Sequence, residues 1–178
     1  MPIILKPAVE EDARAIAEIG VATWRAAFRG AVPDAILDGL SVDKREAEFR
    51  KILSPSSTPP ARTEVAAEDG KVVGFVDFGA SRDEDAAAGT GEIYAIYVRE
   101  SCWGRGIGRL LLDHARASLA ASGCTDLSLW TLAGVERTNR FYRSSGFAAD
   151  GTTKIVERAG GKIEHVRLTA KIRGAKAL

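Results

Sequence analysis

The chain is 178 residues long, 46% hydrophobic and 28% charged, a balance that fits one globular domain with a sizeable core. Its 25 basic and 24 acidic side chains leave a formal charge of +1, which argues against a nucleic-acid partner, because a broad basic surface would show in the total. Two cysteines make no disulfide framework, and no window approaches the roughly 20 apolar residues of a membrane helix.

The start, "MPIILKP", lacks the charged segment and long apolar run of a secretory signal, so Ile3, Ile4 and Leu5 read as a first strand ending at Pro7. Cys102 and Cys124 are then expected as free thiols in a cytoplasmic protein. Glu10, Glu11 and Asp12 precede apolar residues at helical spacing, and acidic groups in a first turn suit the helix dipole. This helix should run through "TWRAAF" and stop at Gly30 and Pro33. Short helices are predicted around 34–40 and 42–53, the second with Ser41 as N-cap. "SPSSTPP", 54–60, reads as a loop. The next segment, "TEVAAEDGKVVGFVDFG", reads as a hairpin turning at Asp69-Gly70. "SRDEDAAAGTG", 81–91, is small, polar and acidic, so a mobile surface loop is expected.

"EIYAIYV", 92–98, has strand character, and a glycine loop and a helix ending near Gly123 follow it. A strand at 125–132, a short helix at 135–147 closed by Gly146, and a second hairpin at 153–170 turning at Gly160-Gly161 complete the chain. No internal repeat is visible. The order predicts an α/β protein with a partly antiparallel sheet, folded as a single domain over 1–178.

The loop "WGRGIGR" crowds Gly104, Gly106 and Gly108 between a strand and a helix N-terminus. The first backbone N–H groups of a helix have no internal partner and sit at its positive end, so a phosphate can be cradled there once Cβ atoms are removed. The dinucleotide pattern G-x-G-x-x-G fails because position 109 is Arg, and no G-K-[ST] follows as in a P-loop. What is left is a G-x-G-x-G turn with Arg105 and Arg109 as neighbouring charges, or else a tight strand-to-helix turn without a ligand.

"IYVRESCWGRGIGRLLLDHA" resembles motif A of the GNAT superfamily, the acetyl-CoA-dependent N-acetyltransferases. "NRFYRSSGF", with Asn139, Tyr142, Gly146 and Phe147, resembles the family's later motif, and "ILKPAVEEDARAIAEI" its usual first strand and helix. One departure stands out: Trp103 occupies the position where motif A usually has Gln or Arg, so a side-chain donor to the pyrophosphate is missing. Arg105 or Arg109 is expected to compensate.

The resemblance implies an α/β (α+β) GNAT-like fold, a mixed sheet of about seven strands, splayed between the fourth and fifth and flanked by helices. It implies acetyl-CoA as co-substrate and no metal; neither His114 nor His165 sits in a metal-ligand pattern. By the same resemblance the cofactor contacts are Ile96, Tyr97, Val98, Trp103, Gly104, Arg105, Gly106, Ile107, Gly108, Arg109 and Asn139. The peptide groups of Ile96 and Val98 would bond the pantetheine arm, and the Val98 N–H would polarise the thioester carbonyl. Asn139 and Tyr142 are i, i+3 neighbours on one helix face, Asn139 for the pantetheine and Tyr142 as general acid toward the sulfur.

An alkyl ammonium with a pKa near ~10.4 must lose a proton before it attacks. Glu92 is the candidate base, acting through a water. By strand alternation it shares a face with Tyr94 and Ile96. Otherwise it is a solvated strand-end carboxylate. Tyr94, Trp24 and Phe28 are candidates for the acceptor pocket, the last two as a cation–π wall or as an ordinary core stripe. Trp130 is expected to pack in the sheet, and Cys102 has no readable activating base.

The expected function is direct transfer of an acetyl group from acetyl-CoA to a primary amine of a small molecule, as in stand-alone bacterial members of the family. A catalytically silent acyl-CoA-binding regulatory module, and a protein or peptide N-acetyltransferase, are the alternatives. The acidic 81–87 loop would suit a polyamine or would simply be solvated. No membrane partner is expected, and relatives leave room for a homodimer.

Overall fold

A computed structural model describes residues 2–54, 62–158 and 160–172. The strands are β1 (Ile4–Pro7), β2 (Arg62–Glu68), β3 (Lys71–Ala80), β4 (Thr90–Val98), β5 (Asp126–Leu132), β6 (Ala148–Arg158) and β7 (Gly161–Lys171). The helices are α1 (Ala13–Ala27), α2 (Asp34–Asp38), α3 (Val42–Leu53), α4 (Ile107–Ala121) and α5 (Glu136–Ser144). Local chemistry sets many of these boundaries. Ser41 caps α3 by accepting from the Lys44 N–H at 3.3 Å. Asp69 and Gly70 turn β2 into β3 with φ of +50° and +75°, the left-handed pair that matches the twist of a hairpin. Within the predicted 54–60 loop, residues 55–60 lie outside the described residues. Among the described residues, no helix is long and apolar enough to cross a membrane.

The seven strands form one sheet in the order β1-β2-β3-β4-β5-β7-β6. Every neighbouring pair is antiparallel except β4 and β5, which are joined through α4 as a parallel crossover requires. That parallel ladder is short. It joins Thr90–Ile93 to Asp126–Leu129 and stops, while β4 continues along β3 to Val98 and β5 continues along β7 to Leu132. The two strands therefore part in the middle of the sheet.

The two faces are covered differently. Leu111, Leu112, Ala115 and Leu119 of α4 pack with Val76, Phe78, Ile93, Leu127 and Leu129. On the other face Ile16 and Ile19 of α1 meet Val65 and Phe75. A third cluster ties Phe28, Ile36 and Leu37 to Leu132 and Ile163, so the β6–β7 hairpin is bound to α2. Its tip is close: a Cβ added to Gly161 would lie 2.8 Å from Pro33 Cγ.

Two expectations are corrected. The β3–β4 register shifts between Asp77 and Phe78, which pair with Ala95 and Ile93, so Tyr94 is an extra residue in a bulge. The bulge resets the alternation: Tyr94 stays with Glu92, but Ile96 joins Ile93 on the α4 face. Second, the acidic 81–91 segment is pinned rather than loose. Asp83 accepts from the Trp130 indole at 2.9 Å, and both oxygens of Asp85 accept from Arg167 at 2.6 and 2.7 Å. Trp130 is thus an anchor for this loop and not only a sheet residue.

Candidate active site

The glycine loop leaves β4 at Val98, makes one 3-10 turn over Glu100–Cys102, and enters α4 through Gly106. Gly104 and Gly106 have φ of +78° and +79°, values that favour glycine, and no atom lies within 4 Å of the Cβ position of either. The first helical hydrogen bond runs from the Leu110 N–H to the Gly106 carbonyl at 3.0 Å. The N–H groups ahead of it have no helical carbonyl to bond. They border a cavity of about 580 Å³ lined by Gly104, Gly106, Ile107, Gly108 and Arg109 at this end. An open donor row at a positive helix end fits a diphosphate.

The two arginines expected to serve that anion are both engaged. Arg105 is paired with Glu68, at 2.9 and 2.5 Å, and does not line the cavity. Arg109 lines it, but its guanidinium bonds Asp113 at 3.2 Å, the Ser144 carbonyl at 3.1 Å and Ser145 Oγ at 3.0 Å. Trp103 turns its indole N–H onto the Val98 carbonyl at 2.7 Å, and the Arg137 guanidinium lies 3.7 Å from its ring centroid. Arg137 lines the cavity and has no carboxylate partner among the described residues. Nothing local in the sequence points to it, because only the tertiary fold brings the start of α5 against the loop.

Where β4 and β5 part, β4 exposes peptide groups. The Arg99 N–H bonds the Val73 carbonyl at 2.8 Å, so by alternation the edges of Ile96 and Val98 face away from β3, into the opening. The Val98 carbonyl already accepts from Trp103 and, at 3.3 Å, from the Thr23 hydroxyl; its N–H does not share in those bonds. Tyr97 points to the α1 face, where its hydroxyl accepts from the Trp24 indole at 2.8 Å. Burial pushes the Tyr97 phenol up.

Tyr142, on α5, is 8% exposed and lines the cavity with Phe141, and its ring also meets that of Phe147. Burial pushes its phenol well above the usual range, so it carries its proton at neutral pH. It belongs to the α4-side cluster. Asn139 does not line the cavity, although its Oδ1 is buried without a hydrogen-bond partner.

Glu92 is 2% exposed, not a solvated strand end. Its Oε2 accepts from the Arg82 backbone N–H at 2.8 Å and its Oε1 from the Arg82 guanidinium at 2.6 Å. Arg82 also lies 3.9 Å from the Tyr94 ring centroid, and the Tyr94 hydroxyl donates to the Ala80 carbonyl at 2.6 Å. Glu92 pairs with Ser128, Trp130 with Arg167, and His165 with both Leu132 and Lys154. This register puts Glu92, Trp130, Leu132, His165 and Lys154 on one face of the sheet, the face that α1 covers. Trp24 and Phe28 border the same cavity with their rings edge-on at 5.1 Å; Phe28 is also a core residue at 7% exposed. One cavity therefore reaches both faces through the gap between β4 and β5, with Tyr142 on the α4 side and Glu92 on the α1 side.

Comparison with known proteins agrees with this architecture. Residues 19–147 match the model of the Acetyltransferase (GNAT) family. The chain is 30% identical over 130 residues to the uncharacterized N-acetyltransferase YuaI of Bacillus subtilis (strain 168), covering 73% of this chain and 72% of that protein. The PaiA N-acetyltransferase from Thermoplasma acidophilum, solved with coenzyme A, superposes with a TM-score of 0.74 at 17% identity, over 96% of this chain and 99% of the other. YncA from Salmonella typhimurium, solved with acetyl-CoA, superposes at 0.69 with 22% identity, over 100% and 98%. The chain belongs to the GNAT acetyltransferase family and is an acetyl-CoA-dependent acyltransferase.

Proposed function

We propose that the protein transfers the acetyl group of acetyl-CoA directly to a primary amine of a small molecule. The observation that carries this reading is the single cavity open to both faces of the sheet, which lets donor and acceptor meet in the gap. The β6–β7 hairpin bound to α2 supports a small acceptor, since it closes the side where a peptide groove would have to run. Coenzyme A and acetyl-CoA in the PaiA and YncA structures support the assignment of the glycine loop.

In this reading the N–H groups of 104–109 hold the diphosphate, and Arg137, stacked on Trp103, supplies the side-chain donor that motif A usually carries at position 103. The peptide edges of Ile96 and Val98 hold the pantetheine arm, and the Val98 N–H faces the thioester oxygen. The co-substrate supplies an activated acyl carbon and a thiolate leaving group. The nitrogen arrives as an ammonium and loses one proton before attack; its bond to that carbon then forms as the carbon–sulfur bond breaks, the amide nitrogen loses a second proton, and the sulfur gains one. Tyr142, held protonated by burial, protonates the sulfur and is restored by the second proton lost from the nitrogen. Glu92, whose two carboxylate oxygens both accept from Arg82, takes the ammonium's first proton through water.

The test is an amine panel scored by free thiol release and by the mass of the acetylated product. Release with a small amine and none with peptides is expected. Acetyl-CoA binding without release for any amine would instead make the protein a silent acyl-CoA-binding module.

A further inference from the structure

The acceptor end of the cavity is charged in an uneven way. Glu92 is the one acidic residue among its described lining residues, and Arg82 already neutralises it. Facing it are Lys154 and Arg158, on alternate positions of the same face of β6. The Lys154 ammonium sits 3.8 Å from the Trp130 ring centroid. The other carboxylate near it, Asp83, is bound by the Trp130 indole at 2.9 Å and by Arg167 at 3.4 Å. Each nearby acid thus bonds an arginine, and both act on Lys154 only through their charge, not through a hydrogen bond. Partial burial holds the Lys154 ammonium below its ordinary pKa. Arg158 has no ion-pair partner among the described residues. A polyamine, which the acidic 81–87 loop first suggested, would meet this wall with like charge, and that loop's Asp83 and Asp85 are held by Arg167.

We propose that the acceptor is a zwitterion: a primary amine that also carries a carboxylate or a similar oxyanion, with Lys154 and Arg158 holding the anion and Glu92 facing the amine. This rests on the acetyltransferase reading above and names its substrate class. Both cations come from β6, on the α1 face of the sheet, and neither belongs to the glycine loop or to α5.

The test uses matched acceptors: amino acids, their carboxamides, the corresponding decarboxylated amines, and polyamines, scored by thiol release. The wild type should favour the acids at least ~10-fold in kcat/KM over their uncharged partners, and Lys154→Gln with Arg158→Gln should bring that ratio close to one. Acetyl-CoA affinity by calorimetry should be unchanged in the double variant. Lys162→Gln, which removes a cation paired with Glu157 on the same hairpin, should keep the preference. Equal or better turnover of carboxamides or polyamines overturns the inference and leaves the acetyltransferase reading standing. Weaker acetyl-CoA binding in the double variant also overturns it, because the cations would then serve the co-substrate. Acetyl-CoA binding with no thiol release from any class would overturn both.

Discussion

Arg137 is the residue on which the loop chemistry turns. Its charge stands over Trp103 with no carboxylate partner among the described residues, while Arg105 and Arg109 are held by other groups. A hydrogen bond to a charged group contributes about 1.5–3 kcal/mol, so Arg137→Gln should weaken acetyl-CoA binding by ~10–100-fold. Binding of a pantetheine fragment without the diphosphate should not change; equal losses for both ligands, measured by calorimetry, would remove the residue from that role. Asp77 is a different kind of outlier. Burial pushes its carboxyl from 3.8 up to about 6, against a hydrogen bond from Thr63 at 3.1 Å and the charge of Arg82. An acid whose folded pKa is raised stabilises the fold fully below the unfolded pKa and loses that contribution as pH rises through the folded one. Between pH 4 and pH 7 the protein should therefore lose up to about 1–3 kcal/mol on this account. Asp77→Asn should raise the melting temperature at pH 8 by several degrees and hardly move it at pH 4. A rise of equal size at both pH values would contradict the assignment.

The elements were legible in the sequence to different depths. Hairpin turns at Asp69-Gly70 and Gly160-Gly161, the Ser41 cap and the acidic first turn before α1 are local signals, and the structure repeats them. The bulge at Tyr94 left no such trace. A run of strand formers keeps its composition when one residue is inserted, yet the insertion moves Ile96 to the other face. The pinned 81–91 loop was hidden for a similar reason, because its partner Arg167 lies far along the chain. The glycine loop's place between a strand and a helix is legible in the sequence, and its conformation makes a prediction about the element. Gly106→Ala should cost roughly 1–2 kcal/mol of stability from the left-handed backbone and also place a methyl in the cradle. Gly123→Ala, at φ +89° just beyond the other end of α4, should cost a similar amount of stability. Only the first should weaken acetyl-CoA binding. Equal affinities in calorimetry would separate the cradle from the ligand.

At the scale of the whole molecule, the sheet is a wall with one opening. A parallel ladder that ends at Ile93 and Leu129 creates it, and two continuing antiparallel neighbours keep it from closing. The sequence motifs marked the α4 side of the opening, because glycine spacing and the Asn139–Phe147 pattern are written in short stretches. The α1 side was less visible: its charges come from β4, β6 and the 81–91 loop, and they meet only when the sheet is complete. The most direct test of the account is Tyr142→Phe, measured once for turnover and once for acetyl-CoA affinity. The account predicts a kcat lower by about 10²–10⁴-fold, the range for a lost proton donor, with the acetyl-CoA dissociation constant unchanged. Full turnover in that variant would contradict the transfer of a proton from this phenol across the opening.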